Sequence, residues 1–267
     1  MIQDLKKFIK PAYIVLRHLY YRLQLTVHGI KIKEFDDGFF DNQKIIVIGP
    51  AESSLSYMDG KEIDSFDIVV RVNKSHLTLA ENSEKLGSRT DVLFHCFHPD
   101  PIGGCGYIDE DKLNRQNNKV VIYPYYEYSE MFRFYKFLLQ FTRTNFALLN
   151  KKYYLEIKKT YPAKIPTTGY QVLNYLIKQN FRELHITGFT FLKTPYINGY
   201  RDSHKSPEKI MDLVVKEKNH DPEAEFEFFC DSLIINKHKN IHIDEALTEI
   251  IKKYREDVYS TILATKQ

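Results

Sequence analysis

KIIVIGPAESSLSYMDGKEIDSFDIVVRVN, Lys44 to Asn73, is the stretch that decides the fold. Ile45 to Ile48 form an unbroken β-branched run, which predicts a strand buried on both faces of a parallel sheet, and Gly49 lets the chain turn at its carboxyl end. Ligands of open α/β sheets bind along that edge. Asp67 to Val72 predict a second buried strand ending at Asn73, whose side-chain amide can donate to a phosphate oxygen. Two strands ending at one crevice suit a nucleotide.

Outward from this pair, Asp91–Phe97 (DVLFHCF) and Lys119–Tyr125 (KVVIYPY) read as the third and fourth strands, with a loop over Pro99–Asp111 between them. Glu130–Leu149 and Tyr153–Lys159 carry aromatic and aliphatic residues at helical spacing, and the Ser129 hydroxyl is placed to cap the first of them. Pro166–Lys178 reads as a helix entered through Thr167 and Thr168, and Glu183–Phe189 as a fifth strand with Gly188 at its carboxyl end. A polar, turn-rich stretch, Lys193–Pro207, comes next. A short strand, Asn240–Asp244, then precedes a last helix from about Leu247 to Thr261. Strands alternating with helices predict an α/β fold, a mostly parallel, doubly wound, Rossmann-like sheet flanked by helices in a single domain.

With 267 residues, 43% of them apolar, the chain can bury one large core. Its 38 basic residues against 35 acidic ones give no electrostatic footprint for nucleic acid. Three cysteines, Cys96, Cys105 and Cys230, lack CxxC spacing, so neither a disulfide framework nor a cysteine zinc site is expected, and a reducing compartment fits. Residues 1–40 stand apart from the domain expected over 41–267. From Met1 to Lys33, seven basic residues (Lys6, Lys7, Lys10, Arg17, Arg22, Lys31 and Lys33) face a single acid, Asp4, beside a regular supply of apolar side chains. Such a segment suits either an anionic membrane surface or a helix packed on the main domain with its basic groups in water. No apolar run there is long enough to span a bilayer, and no signal cleavage site is present.

Two further segments carry chemistry. In PTTGYQVLNYLI, Thr167 and Thr168 offer hydroxyls and Gly169 permits close approach at a helix N-terminus whose N–H groups and dipole favour an anion; ordinary threonine capping is the plainer use of the same residues. In HDPEAEFEFF, His220 stands at a helix mouth with Glu225 five residues on, and a neutral imidazole there can accept a proton from a hydroxyl.

In order and character these segments resemble the sialyltransferase family. Gly49, then GKEIDSFDIVVRVN (60–73) trailed by GSRTDV (87–92), is similar to its large motif; PTTGYQVLNYLI followed by LHITGF to its small motif; and His220 with Glu225 to its last motif. INGYRDSH matches the short third motif loosely, through Tyr200 and His204. Pro50 and Ala51 stand where the family usually shows asparagine and serine, so that contact is missing or falls to Ser53 or Ser54. The disulfide joining large and small motifs in the animal enzymes has no cysteines here, which fits a bacterial, cytoplasmic relative, peripheral on the inner membrane.

The resemblance implies a GT-A-variant glycosyltransferase performing an inverting, metal-independent transfer of an acidic sugar from a CMP donor to a hydroxyl of a glycan or glycolipid acceptor. The donor is CMP-sialic acid first and CMP-Kdo next, the acceptor a lipopolysaccharide or capsule precursor, and no cofactor is required. His220 would be the general base, with His204 near the departing phosphate. Gly49, Ser53, Asn73, Thr167, Thr168, Gly169, Gly188 and Phe189 would form the nucleotide site, supported by Glu225 and Tyr200. Asp109-Glu110-Asp111 has the form of a metal-binding Asp-X-Asp but lies after a loop and reads better as a helix cap, and His95, Cys96 and His98 lack a fourth ligand. A dinucleotide oxidoreductase is disfavoured because Gly49 is followed by PAESSLSYMDG, without the remaining glycines of G-x-G-x-x-G. A non-catalytic CMP-binding module docking on membranes is the other alternative.

Overall fold

A computed structural model describes residues 2–98, 104–161, 164–202, 206–211 and 220–263. Seven strands form one wholly parallel sheet in the order β5-β4-β3-β2-β1-β6-β7. They are β1 Lys44–Ile48, β2 Ile68–Val72, β3 Val92–Phe94, β4 Val120–Tyr123, β5 Phe146–Leu148, β6 Glu183–Thr187 and β7 Ile241–Ile243. The chain builds outward from β1 through β5, then returns to lay β6 against the other side of β1. The strand order therefore reverses between β1 and β6, the place where such sheets bind ligands.

Helices cover both faces. In chain order they are α1 Ile2–Val27, α2 Gly60–Asp64, α3 Leu79–Leu86, α4 Glu110–Arg115, α5 Met131–Gln140, α6 Lys151–Thr160, α7 Thr168–Lys178, α8 Pro222–Ile235 and α9 Glu245–Tyr254. The largest core joins Val47, Val70, Phe94 and Ile186 to α7 and α8 on one face; Leu93, Val121 and Tyr123 meet the aromatic side chains of α5 on the other. Because both faces are covered, the strands are largely apolar, as the continuous runs in the sequence predict, with Arg71 in β2 and His185 and Thr187 in β6 as buried polar exceptions.

Three expectations change. Phe146–Leu148 falls inside a segment with helical spacing, yet it is the edge strand β5, pairing with Val121–Tyr123. The last helix breaks after Tyr254, because Arg255 leaves the helix (φ −142°) to reach Glu227, Asp231 and Asp257. Ser129 does not cap α5: Glu130 is the cap residue and makes no side-chain cap bond, while the Ser129 carbonyl accepts from Arg17 at 3.1 Å. Asp109 caps α4 through the Lys112 N–H, and Glu110 and Asp111 pair with Arg143, so this acidic triplet is a helix cap as expected.

The switch point is closed by two glycines. Gly188, at φ +74°, lies against Gly49, and a Cβ on Gly49 would stand 2.3 Å from the Gly188 carbonyl oxygen. Backbone cannot yield as a side-chain tip does. Gly49→Ala is expected to lower stability by about 3 kcal/mol, the upper range for overpacking, read as a fall in the chemical-denaturation midpoint.

Candidate active site

A cleft of about 750 Å³ opens at the carboxyl ends of β1, β2 and β6. Its floor holds Pro50, Ala51, Asn73 and Gly188; one wall holds Thr167, Thr168, Gly169, Phe189 and His220, with Glu225 behind them; the other holds Tyr123, Tyr125, Glu127, Ser129, Glu130 and Arg133.

Asn73 sits in the left-handed region (φ +50°), which asparagine tolerates better than most residues, and this turns its side chain back across β3. Its Oδ1 accepts from the Cys96 N–H at 3.1 Å. Only the amide oxygen can accept from that N–H, so Nδ2 is fixed as a donor on the cleft side.

The segment Ile165–Thr168 joins His220, Tyr125 and Glu225. The Ile165 carbonyl takes a hydrogen bond from His220 Nδ1 at 2.6 Å; since a carbonyl can only accept, Nδ1 carries the proton and Nε2 is the acceptor of the neutral ring. The Pro166 carbonyl accepts from the Tyr125 hydroxyl at 3.3 Å, which also meets Thr168 Oγ1 at 2.9 Å. Thr167 caps α7 by accepting from the Tyr170 N–H, and its own N–H and hydroxyl donate to the two Glu225 oxygens at 2.7 and 2.6 Å. His220 itself is placed by the start of α8, where Asp221 caps the helix through the Ala224 N–H and Pro222 occupies the first turn.

Glu225 is 1% exposed, and burial pushes its carboxyl up to about 8 against the opposing pull of the two Thr167 hydrogen bonds. His95 is wholly buried with both nitrogens used: Nε2 donates to the Cys105 carbonyl, Nδ1 accepts from the Phe97 N–H, and burial lowers its pKa to about 3. It is a structural histidine, whereas Cys96 and His98 line the cleft.

Of the residues selected from sequence, Asn73, Thr167, Thr168, Gly169, Gly188, Phe189, Tyr200, His220 and Glu225 all line this cleft. Gly49 lies beneath it as the partner of Gly188. Ser53 donates to Asp244 at 3.0 Å, and Ser54 to the Ala51 carbonyl. Asp244 also accepts from Thr187 Oγ1 and from the Gly188 N–H, so these groups hold the floor from below. His204 lies outside the described residues. Tyr125, Arg133 and Arg201 line the cleft without having been singled out, since nothing in their local spacing marks them. Arg71, from the same Arg-Val-Asn as Asn73, points away from the cleft: fully buried, it donates to the carbonyls of Leu86 and Arg89 and ties Gly87–Asp91 to β2.

No family model matches the chain, and no curated protein matches it. Among solved structures it is similar to the monofunctional alpha-2,3-sialyltransferase Cst-I from Campylobacter jejuni, at 17% identity and a TM-score of 0.49, over 80% of this chain and 78% of that one. It is similar also to the Campylobacter jejuni sialyltransferase CstII in complex with cytidine-5'-monophosphate, at 15% identity and 0.47, over 76% and 80%. A mammalian sialyltransferase in complex with Gal-beta-1-3GalNAc-ortho-nitrophenol gives 13% and 0.46, over 76% and 69%. At such identities and TM-scores this is a likeness alone, and the chemistry of the cleft rests on the residues of this chain.

The raised carboxyl has a pH signature. A group whose folded pKa, about 8, stands above its ordinary 4.5 holds its proton more tightly when folded, so its stabilising contribution is present below about 4.5 and lost as pH rises towards 8. Glu225→Gln is expected to flatten the decline in unfolding midpoint between pH 5 and pH 8 relative to the unaltered protein, measured by denaturant titration at both pH values.

Proposed function

We propose that the chain is an inverting glycosyltransferase that moves an acidic sugar from its CMP ester, sialic acid first and Kdo next, to a hydroxyl of a bacterial lipopolysaccharide or capsule glycan, with no metal required. The observation that carries this reading is the junction at Ile165–Thr168. It sets a neutral imidazole, with Nε2 as its acceptor, beside a helix N-terminus in one cleft.

In the reaction, His220 Nε2 takes the proton of the acceptor hydroxyl as that oxygen bonds to the anomeric carbon, and the bond from that carbon to the phosphate oxygen breaks. CMP leaves with the electron pair. Its phosphate charge meets the N-terminus of α7 and Asn73 Nδ2, donors already held in place before the charge develops. Attack on the face of the anomeric carbon that points away from the departing phosphate inverts the centre. Glu225 positions Thr167 and thereby the mouth of α7; it does no proton transfer.

The test uses each CMP-sugar in turn and monitors CMP release. His220→Ala is expected to lower kcat by about 10²–10⁴-fold while leaving CMP affinity unchanged by calorimetry, and a chelator is expected to leave the rate unchanged. Absence of CMP binding, or full turnover in the alanine variant, overturns the proposal; CMP binding without turnover in the unaltered protein would mark a binding module.

We infer further that α1 meets an anionic membrane at the cytoplasmic face. Its inner side packs on α5 through His18, Tyr21 and Leu25, and Arg17 covers the Phe132 ring. Leu16, Leu19, Tyr20, Leu23 and Val27, all between 56% and 70% exposed, form an apolar stripe on the side turned away, in a segment whose basic residues outnumber its acidic ones. Among the described residues no helix is long and apolar enough to cross a membrane, so the stripe suits a surface. Ser129, whose carbonyl accepts from Arg17 of α1, belongs to the cleft wall, which would bring a lipid-borne acceptor to the site. Leu19→Glu with Leu23→Glu is expected to abolish co-sedimentation with phosphatidylglycerol vesicles and to leave turnover on a soluble acceptor intact. Equal sedimentation of this variant would sink the inference.

A further inference from the structure

On the far side of β1 from the α7 wall, β6 and β7 bring three ligating side chains together. Parallel pairing sets His185 directly opposite His242, and Glu183, two residues before His185, projects from the same face of β6. The two imidazoles stack at 4.4 Å with 18° between their planes. Glu183 Oε1 is 2.5 Å from His185 Nε2 and 3.6 Å from His242 Nε2, and one ligand atom from each residue lies within 4.8 Å of the others. None of the three lines the cleft.

We infer that this cluster is a binding site for a transition-metal dication of zinc type. Two imidazoles and one carboxylate form a donor set that zinc accepts, with a fourth position for water. The surroundings fit. Tyr57 Oη lies 2.8 Å from His185 Nδ1 and can accept from it when Nε2 exchanges its Glu183 partner for a metal, and Phe66 packs edge-on against the same ring at 4.9 Å. His185 is 8% exposed at its side chain, Glu183 22% and His242 42%, so the site has a fixed inner ligand and an open outer one through which an ion can enter. Lys44 Nζ, 3.7 Å from Glu183 and 4.6 Å from the centre of the Phe66 ring, compensates the carboxylate when no ion is bound and has the aromatic face to remain on when one is.

The site would act as a clip. β7 is the edge strand, and His242 lies two residues before Asp244, whose carboxylate holds Gly188 and Ser53 beneath the cleft. An ion bound to β6 and β7 together would therefore secure the strand that supports the floor, without entering the chemistry.

The experiment is calorimetric titration of the chelator-treated full chain with zinc chloride, alongside thermal denaturation. One equivalent is expected to bind saturably, and at a hundredfold excess over Kd the unfolding midpoint is expected to rise by about 5 °C or more. Magnesium chloride should give no shift, because nitrogen ligands do not suit that ion. His242→Ala, at the most exposed ligand, is expected to keep the zinc-free midpoint and to weaken zinc binding at least about tenfold, the scale of losing one ligand. Glu183→Gln should weaken it likewise. Absence of saturable binding overturns the inference, as does unchanged zinc affinity in His242→Ala, which would place the ion elsewhere, at His220 or the cleft cysteines.

Discussion

The close approach of Gly49 and Gly188 is the constraint on which the molecule depends. Each is the first residue beyond its strand, and each would drive a Cβ into the other's carbonyl, at 2.3 and 2.5 Å. Only because both lack a side chain can β1 and β6 remain paired to their ends, with Gly49 N–H donating to Thr187 and Ala51 N–H to Gly188. From that junction the chain diverges on both sides, leaving a crevice where backbone would otherwise be covered by side chains. Asp244 fastens the junction from below with three hydrogen bonds, to Ser53, Thr187 and Gly188. The floor is therefore backbone held by one buried carboxylate.

Above that floor, the two walls differ in chemistry. The α7 and α8 wall, with Asn73 of the floor, is made of positions whose hydrogen-bonding roles are already decided: an imidazole whose Nδ1 donates to a carbonyl, an amide left to donate at Nδ2, and a helix mouth whose free N–H groups suit an anion. Groups fixed before a ligand arrives cost little to reorganise as charge develops. The opposite wall is aromatic, with Tyr123 and Tyr125 backed by the stacked rings of Phe97, Phe134 and Phe137. It offers shape and a few polar tips, such as the Arg133–Glu130 pair.

Much of this was legible in the sequence, for a physical reason. A parallel strand buried on both faces is largely apolar, so β1 and β4 appear as unbroken runs and β2 and β6 as apolar runs interrupted by Arg71 and His185, and residues at their carboxyl ends, such as Asn73 and Gly188, can be placed at one edge without coordinates. Short elements escape this logic. β5 has three residues inside a longer apolar stretch, where alternation and helical spacing cannot be told apart. Arg255 breaks the final helix only because Glu227 and Asp231 are brought to it by folding. In the site, Ser53 carries the right chemistry for a phosphate but is taken by Asp244, distant in sequence, and Tyr125, just past β4, is held at the cleft by Pro166 and Thr168, themselves distant in sequence from it.

The strap Ile165–Thr168 ties together groups that chemistry treats as separate. His220 hangs from one carbonyl, Tyr125 from the next, and Glu225 holds the adjoining residue by both its N–H and its hydroxyl. Four successive residues thus transmit any displacement of the α7 mouth to the imidazole, and the reverse. Substitutions on the two sides will not contribute independently: their combined effect on a shared strap departs from the sum of the single effects. The helix mouth and the imidazole are therefore one mechanical unit in this fold, altered together or left together.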